Sequence, residues 1–140
     1  MMATLIKNGI IVTSGDIFKG DIYIENGIIT KIGMNLTEEA DEIVDANGKY
    51  VIPGGVDVHT HLNLDVGIAV ATDDFYTGTV AAACGGTTTI VDHLAFGPKG
   101  CSLHHQVNLY HKYAKGNAVI DYGFHGVIQH VNDVILEELQ

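Results

Sequence analysis

The sequence predicts an α/β fold, and two observations carry that reading. The pattern changes at Pro53. Before it, short apolar runs are punctuated by Asn-Gly; after it, β-branched runs alternate with helical spacing. The later apolar runs are also continuous, as in strands covered on both faces of a parallel sheet. The expected organisation is a small β module over residues 1–52, followed over residues 53–140 by three βα units of a larger parallel assembly.

In the first part, Leu5-Ile6-Lys7-Asn8-Gly9-Ile10-Ile11-Val12 reads as strand, turn, strand. So does the run from Ile22 to Ile32 around Asn26-Gly27. Asn-Gly readily takes the positive φ values that a type I′ hairpin turn needs. Asn47-Gly48 marks a third turn before Lys49-Tyr50-Val51-Ile52. The expectation is an antiparallel module, too small to close a sandwich without further strands.

In the second part, residues 56–61 read as a buried strand and residues 73–84 as a helix. Thr72 is the expected N-cap, Asp73 and Asp74 suit the positive end of the helix dipole, and Gly85-Gly86 ends it. Thr87-Thr88-Thr89-Ile90-Val91 is strongly β-branched and reads as the next strand. Ser102 is placed to cap a second helix whose Leu103, Val107, Tyr110 and Ala114 share one face, with Gly116 ending it. Residues 118–124 form a third strand, and Asn132 opens another helix with Ile135, Leu136 and Leu139 on its apolar face. A closed parallel barrel needs eight strands and typically ~250 residues. Three units leave the third strand as a raw edge, so the expectation is a truncated chain.

Composition narrows the function classes. Hydrophobic residues make up 46% and charged residues 17% of the 140 residues, which suits a packed core rather than a disordered chain. A mean hydropathy of +0.20 is apolar for a small domain, as if part of its cover were missing. The net charge of −10, with no cluster of Lys and Arg, argues against a nucleic-acid surface. Cys84 and Cys101 form no C-x-x-C and read as reduced thiols, Cys84 packed at a helix end. Neither a signal peptide nor a membrane span is visible, so a cytoplasmic location is expected.

The chemistry concentrates in Asp57-Val58-His59-Thr60-His61. Side chains alternate faces along a strand, so His59 and His61, and Asp57 with them, are expected to point the same way. Two imidazoles side by side on a rigid strand suit one divalent metal. They stand at the C-terminal end of their strand, where α/β barrels place active sites. Asp92 and His93 end the second strand and His125 the third; all three are read as supporting or packing groups. His104, His105, His111 and His130 fall on or near helices and read as solvated, and Tyr110 and Tyr113 as helix-face packing. No dinucleotide or phosphate-loop motif is present.

The run from Ile52 through Pro53-Gly54-Gly55-Val56-Asp57-Val58-His59-Thr60-His61 resembles the first barrel strand of the cyclic amidohydrolases. The stretch from Thr72 to Thr89 resembles the next segment of hydantoinases and dihydropyrimidinases, and Asp121-Tyr122-Gly123-Phe124-His125-Gly126 resembles their third strand. Asn63-Leu64-Asp65-Val66-Gly67-Ile68-Ala69 is similar in style to the bacterial D-phenylhydantoinase branch. The resemblance covers the whole chain. It implies an α/β fold that is the start of a TIM-like (β/α)8 metal-dependent hydrolase barrel, preceded by part of a β-sandwich, both incomplete here.

It also implies zinc, two ions per subunit bridged by a carboxylated lysine, and ring opening of a hydantoin or dihydropyrimidine. His59 and His61 match the ligands of the more buried zinc. No lysine follows Lys115, and Lys112 and Lys115 lie on a predicted surface helix. The bridging lysine, the later histidines and the proton-shuttling aspartate are therefore expected beyond Gln140, and no catalytic residue is assigned within the chain. Alone it is expected to bind zinc weakly, if at all, and to show no hydrolysis.

The loop over residues 62–71 resembles a gate over the substrate's ring substituent, with Leu64, Val66 and Ile68 as its apolar members. Asn63 stands where dihydroorotases place an arginine, which argues against a dihydroorotate substrate. The implied partners are a small cyclic amide and further copies of the chain, as a homotetramer at full length. Two other readings compete. A non-catalytic dihydropyrimidinase-like scaffold has no need of the paired imidazoles. A small β-rich binding module does not account for the βα pattern after Pro53.

Overall fold

The computed structural model describes residues 2–140, which form two compact units, residues 2–53 and Gly54–Gln140. The first is a mixed sheet of five strands: β1 (Ala3–Val12), β2 (Ile17–Glu25), β3 (Ile28–Gly33), β4 (Glu42–Asp45) and β5 (Tyr50–Val51). The order is β3-β2-β1-β4, with β5 also paired to β1.

Asn26-Gly27 makes the expected hairpin turn, with φ of 52° and 79° and antiparallel pairing of β2 with β3. Asn8-Gly9 does not make a turn. β1 runs straight through it, and the register against β2 slips between Ile6 and Gly9, which marks a β-bulge with Asn8 at φ 57°. The physical reason is Asp21. This carboxylate is almost fully buried and accepts from the Asn8 amide at 2.8 Å and the Leu36 amide at 2.9 Å. The displaced amide thus has a charged acceptor, and the strand continues.

The expectation of a wholly antiparallel module is also corrected. β4 and β5 pair parallel to β1, one beyond the other along the strand, and Asn47-Gly48 joins them. Leu5, Ile11 and Ile22 are the buried apolar residues of this unit, while Ile17, Ile28, Ile29, Ile43 and Ile52 are exposed. That exposure is where much of the apolar mean hydropathy lies.

The second unit is a parallel sheet, β6 (Gly55–Thr60), β7 (Thr87–His93) and β8 (Asp121–His125), in sequence order. The helices are α1 (Phe75–Cys84), α2 (Leu103–Ala114) and α3 (Asp133–Glu138). Among the described residues the parallel strands form an open three-stranded sheet and not a closed (β/α)8 barrel. No helix among the described residues is long and apolar enough to cross a membrane.

Helix α1 starts later than expected. Its N-cap is Asp74, not Thr72: the Asp74 carboxylate accepts from the amides of Tyr76 and Thr77, and Thr77 Oγ1 accepts from the Asp74 amide. This capping box satisfies the orphan amides of the first turn more fully than Thr72 could. Helix α2 is capped by Ser102 as the sequence predicts, and α3 by Asn132. The third strand is shorter than residues 118–124 and shifted to Asp121–His125. Upstream of it, the Val119 amide donates to the buried Thr79 hydroxyl of α1 instead of to a ladder. Cys84 is exposed rather than packed, because α1 turns its last residue away from the sheet side where Phe75 and Thr79 are buried.

The core of this unit is Leu62, Phe75, Ile90, Leu94, Tyr110 and Ala114. Phe75 lies edge-on to Tyr110 at 6.2 Å and to Phe124 at 6.3 Å. Gly78 lets α1 lie directly on Leu62, since a Cβ there would fall 2.3 Å from a Leu62 methyl.

Replacing Phe75 with Ala should lower the urea-unfolding free energy of the chain by about 3–5 kcal/mol. The exposed neighbour substitution Tyr76→Ala should change it by less than about 0.5 kcal/mol. Equal losses would contradict this packing. A second test uses pH. Backbone and hydroxyl bonds from Thr77 hold the Asp74 carboxyl below its ordinary value. A depressed carboxylate stabilises the folded state fully above the unfolded value and loses that contribution as pH falls through the folded one. Asp74→Ala should therefore lower the urea midpoint at pH 6 and cost progressively less below about pH 4. A deficit independent of pH would contradict the cap.

Candidate functional site

The candidate site lies at the C-terminal ends of β6, β7 and β8. His59 and His61 do converge: their Nε2 atoms are 3.2 Å apart and the ring centroids 5.0 Å. One Nε2 can donate to the other at this distance, provided the accepting ring is neutral. Two nitrogens 3.2 Å apart, each about 2.0–2.1 Å from a single ion, subtend about 100–106°, near the tetrahedral angle. The pair therefore fits two positions of a tetrahedral metal shell. Among the described residues, no group of three or more His, Cys, Asp or Glu side chains is arranged to hold a metal.

Two further histidines join the pair. His93 stacks on His59 with centroids 4.0 Å apart and planes 24° apart, and it lies 5.4 Å from His61. His125 lies 4.6 Å from His93. Burial, and after it the neighbouring His59, His125 and His61, hold His93 below its ordinary value, with only Asp92 opposing. His93 thus favours its neutral form.

Asp92 organises the strand end from the other face of β7. It is fully buried, and its Oδ1 accepts from Thr60 Oγ1 at 2.6 Å and from the Leu62 amide at 2.9 Å. These two donors flank His61, so the residue after β6 is pinned from both sides. Burial pushes the Asp92 carboxyl up, and its bonds to Thr60 and Leu62 oppose this. Asp57, expected beside the two rings, has Oδ1 engaged with its own backbone, accepting from the His59 amide at 3.0 Å.

The loop over residues 62–71 is a miniature hairpin. Asp65 bridges Val70, the Ala71 amide donates to the Leu64 carbonyl, and Asp65 Oδ1 accepts from the Gly67 amide. Asn63, at φ 52°, ties the loop to α1 by accepting from the Phe75 amide. Val66 lines a cleft of about 630 Å³ with Phe96, His105 and Tyr113; Leu64 and Ile68 are not among its walls, and Ile68 stands almost wholly exposed. None of the four clustered histidines borders this cleft. His104, His105, His111 and His130 are exposed, as expected.

Strand position marked His93 and His125 as supporting groups, and the structure makes them members of a ring cluster. The signal was present in the sequence: both residues end strands whose pairing puts them opposite each other. What alternation alone did not supply was the stacking of His93 on His59.

A parallel α/β unit with paired imidazoles at its strand ends follows a β module along the chain, and over this length the sequence is similar to hydantoinases and dihydropyrimidinases. It is 58% identical over 139 residues to D-phenylhydantoinase from Escherichia coli O1:K1, covering 99% of this chain. Among solved structures, a D-hydantoinase is 49% identical with a TM-score of 0.92, and a dihydropyrimidinase from Brevibacillus agri NCHU1002 is 46% identical with a TM-score of 0.91. Each comparison covers 99% of this chain and 30% of the other. The chain thus spans less than a third of the length of these relatives. A dihydroorotase at 20% identity and a TM-score of 0.60 shares the fold alone. No family model matches the chain.

If Asp92 holds the strand end in this way, Asp92→Ala should destabilise the chain by about 2–3 kcal/mol, because it strands two donors. Asp92→Asn, which keeps an acceptor oxygen, should cost clearly less. Urea unfolding of both variants checks this, and equal losses would contradict the assigned role.

Proposed function

We propose that this chain supplies one half of a zinc site to a hydrolase that opens the ring of a cyclic amide, a 5-substituted hydantoin or a dihydropyrimidine. The observation that carries the proposal is the convergence of His59 and His61 Nε2 to 3.2 Å at a strand end, in a chain so similar to D-phenylhydantoinase. In this reading β6, β7 and β8 begin a (β/α)8 barrel, and the sheet of the first unit is part of a β-sandwich domain.

His59 and His61 would hold the metal, which when bound acidifies water and polarises the ring carbonyl. The chain's own contribution is positional. The hydroxyl of Thr60 and the amide of Leu62 anchor the strand end on Asp92, so His61 has little freedom. The low proton affinity of His93 keeps a further positive charge away from a cation held nearby. The bridging lysine, remaining histidines and proton-moving aspartate are proposed to come from outside these 140 residues. Leu64, Val66 and Ile68 form the proposed substrate gate; their apolar side chains suit an aryl or alkyl substituent, and Asn63 offers no cation to a carboxylated ring. The working form is proposed to be a homotetramer.

In a protein carrying this chain at the length of its relatives, His59→Ala and His61→Ala should each lower bound zinc. Turnover of phenylhydantoin, dihydrouracil or allantoin should fall about 100-fold or more, since the ions supply several kcal/mol. Zinc content and turnover unchanged in both variants would overturn the proposal. The 140-residue chain alone should bind zinc weakly and hydrolyse none of the three.

A further inference from the structure

Between Asp57 and Thr60, the strand that carries the paired histidines has one residue more than the facing stretch of β7. Asp57 pairs with Ile90 and Thr60 with Asp92, so Val58 and His59 together stand against Val91. Such a bulge interrupts the ladder and leaves backbone groups without strand partners. The His59 amide finds Asp57 Oδ1 at 3.0 Å. The Val58 carbonyl is met by His125 Nε2 at 3.1 Å, from β8, two strands away. A carbonyl oxygen only accepts, so His125 must carry its proton on Nε2. The His125 ring also lies against His93, which is stacked on His59. His125 thus reaches the His59 segment twice, once through the backbone of the bulge and once through the ring between them.

We infer that His125 is a positioning residue: its Nε2–H bond to the Val58 carbonyl fixes the bulge, and the bulge aims His59 Nε2 at His61. The bond replaces a missing rung of the β6–β7 ladder, and losing it frees the peptide plane between Val58 and His59. The consequence for zinc rests on the proposed function, whereas the geometry itself is independent of any metal.

The test uses the 140-residue chain with 15N-labelled histidine, metal-free at pH 8, as wild type, His125→Gln and His125→Leu. Glutamine places an amide donor near the position of Nε2, and leucine keeps bulk without a donor. His125 should show the Nε2–H tautomer. A nuclear Overhauser contact between the His59 and His61 rings should be present in the wild type and His125→Gln and absent in His125→Leu, with circular dichroism unchanged. Zinc titration followed on the same signals should give Kd values within about threefold for the wild type and His125→Gln. It should be about tenfold weaker for His125→Leu, the usual scale for losing a supporting hydrogen bond around a metal ligand. An Nδ1–H tautomer, a ring contact surviving in His125→Leu, or equal loss in both variants would overturn the inference. Zinc leaving the His59 and His61 signals unmoved in all three proteins, with the tautomer and ring contacts as expected, would overturn the zinc reading and uphold the role of His125.

Discussion

An extra residue at Val58–His59 governs what β6 presents at its end. A regular parallel strand would run its ladder through this point and leave its side chains to strict alternation. The bulge breaks the ladder between Asp57 and Thr60, and two side chains take up the loose ends, Asp57 on the His59 amide and His125 on the Val58 carbonyl; beyond the bulge, Asp92 accepts from the Thr60 hydroxyl and the Leu62 amide. With the backbone held on both sides, two exposed rings remain at a separation suited to a shared ion. Metal ligands need such support, because orienting two free side chains costs conformational entropy before any bond forms.

The two faces of the second unit divide the labour. On the helix side, Ile90, Asp92 and Leu94 are buried under α1 and α2, with Phe75 and Tyr110 as the largest fillers. On the other side, His93 and His125 stand with His59 and His61. A buried carboxylate on the packed face is costly, and Asp92 offsets part of that cost at Oδ1 by taking donors from the strand end that carries the site, while its Oδ2 is buried without a partner. Core and site are therefore coupled through one strand: what stabilises β7 also fixes the end of β6.

Much of this was legible in the sequence where the signals are local. Ser102 and Asn132 act as the caps they appear to be, and Leu103, Val107, Tyr110 and Ala114 lie on one α2 helix, with Tyr110 and Ala114 buried. Asn26-Gly27 makes its turn, yet the same dipeptide at Asn8-Gly9 makes a bulge, because the deciding partner, Asp21, is thirteen residues away. The parallel docking of β4 and β5 on β1 is likewise a non-local choice that Asn-Gly spacing does not report. At the site, His59 and His61 were legible from spacing alone. The bulge, the Asp92 clamp and the stack of His93 on His59 were not, since each depends on register between strands about thirty residues apart.

X-ray absorption at the zinc edge tests most directly whether His59 and His61 chelate one ion. Zinc bound to the 140-residue chain should show two imidazole nitrogens at about 2.0–2.1 Å, with oxygen donors completing the shell. His59→Ala should reduce this to one or none. A shell of oxygen donors alone, or a spectrum unchanged by His59→Ala, would contradict the account.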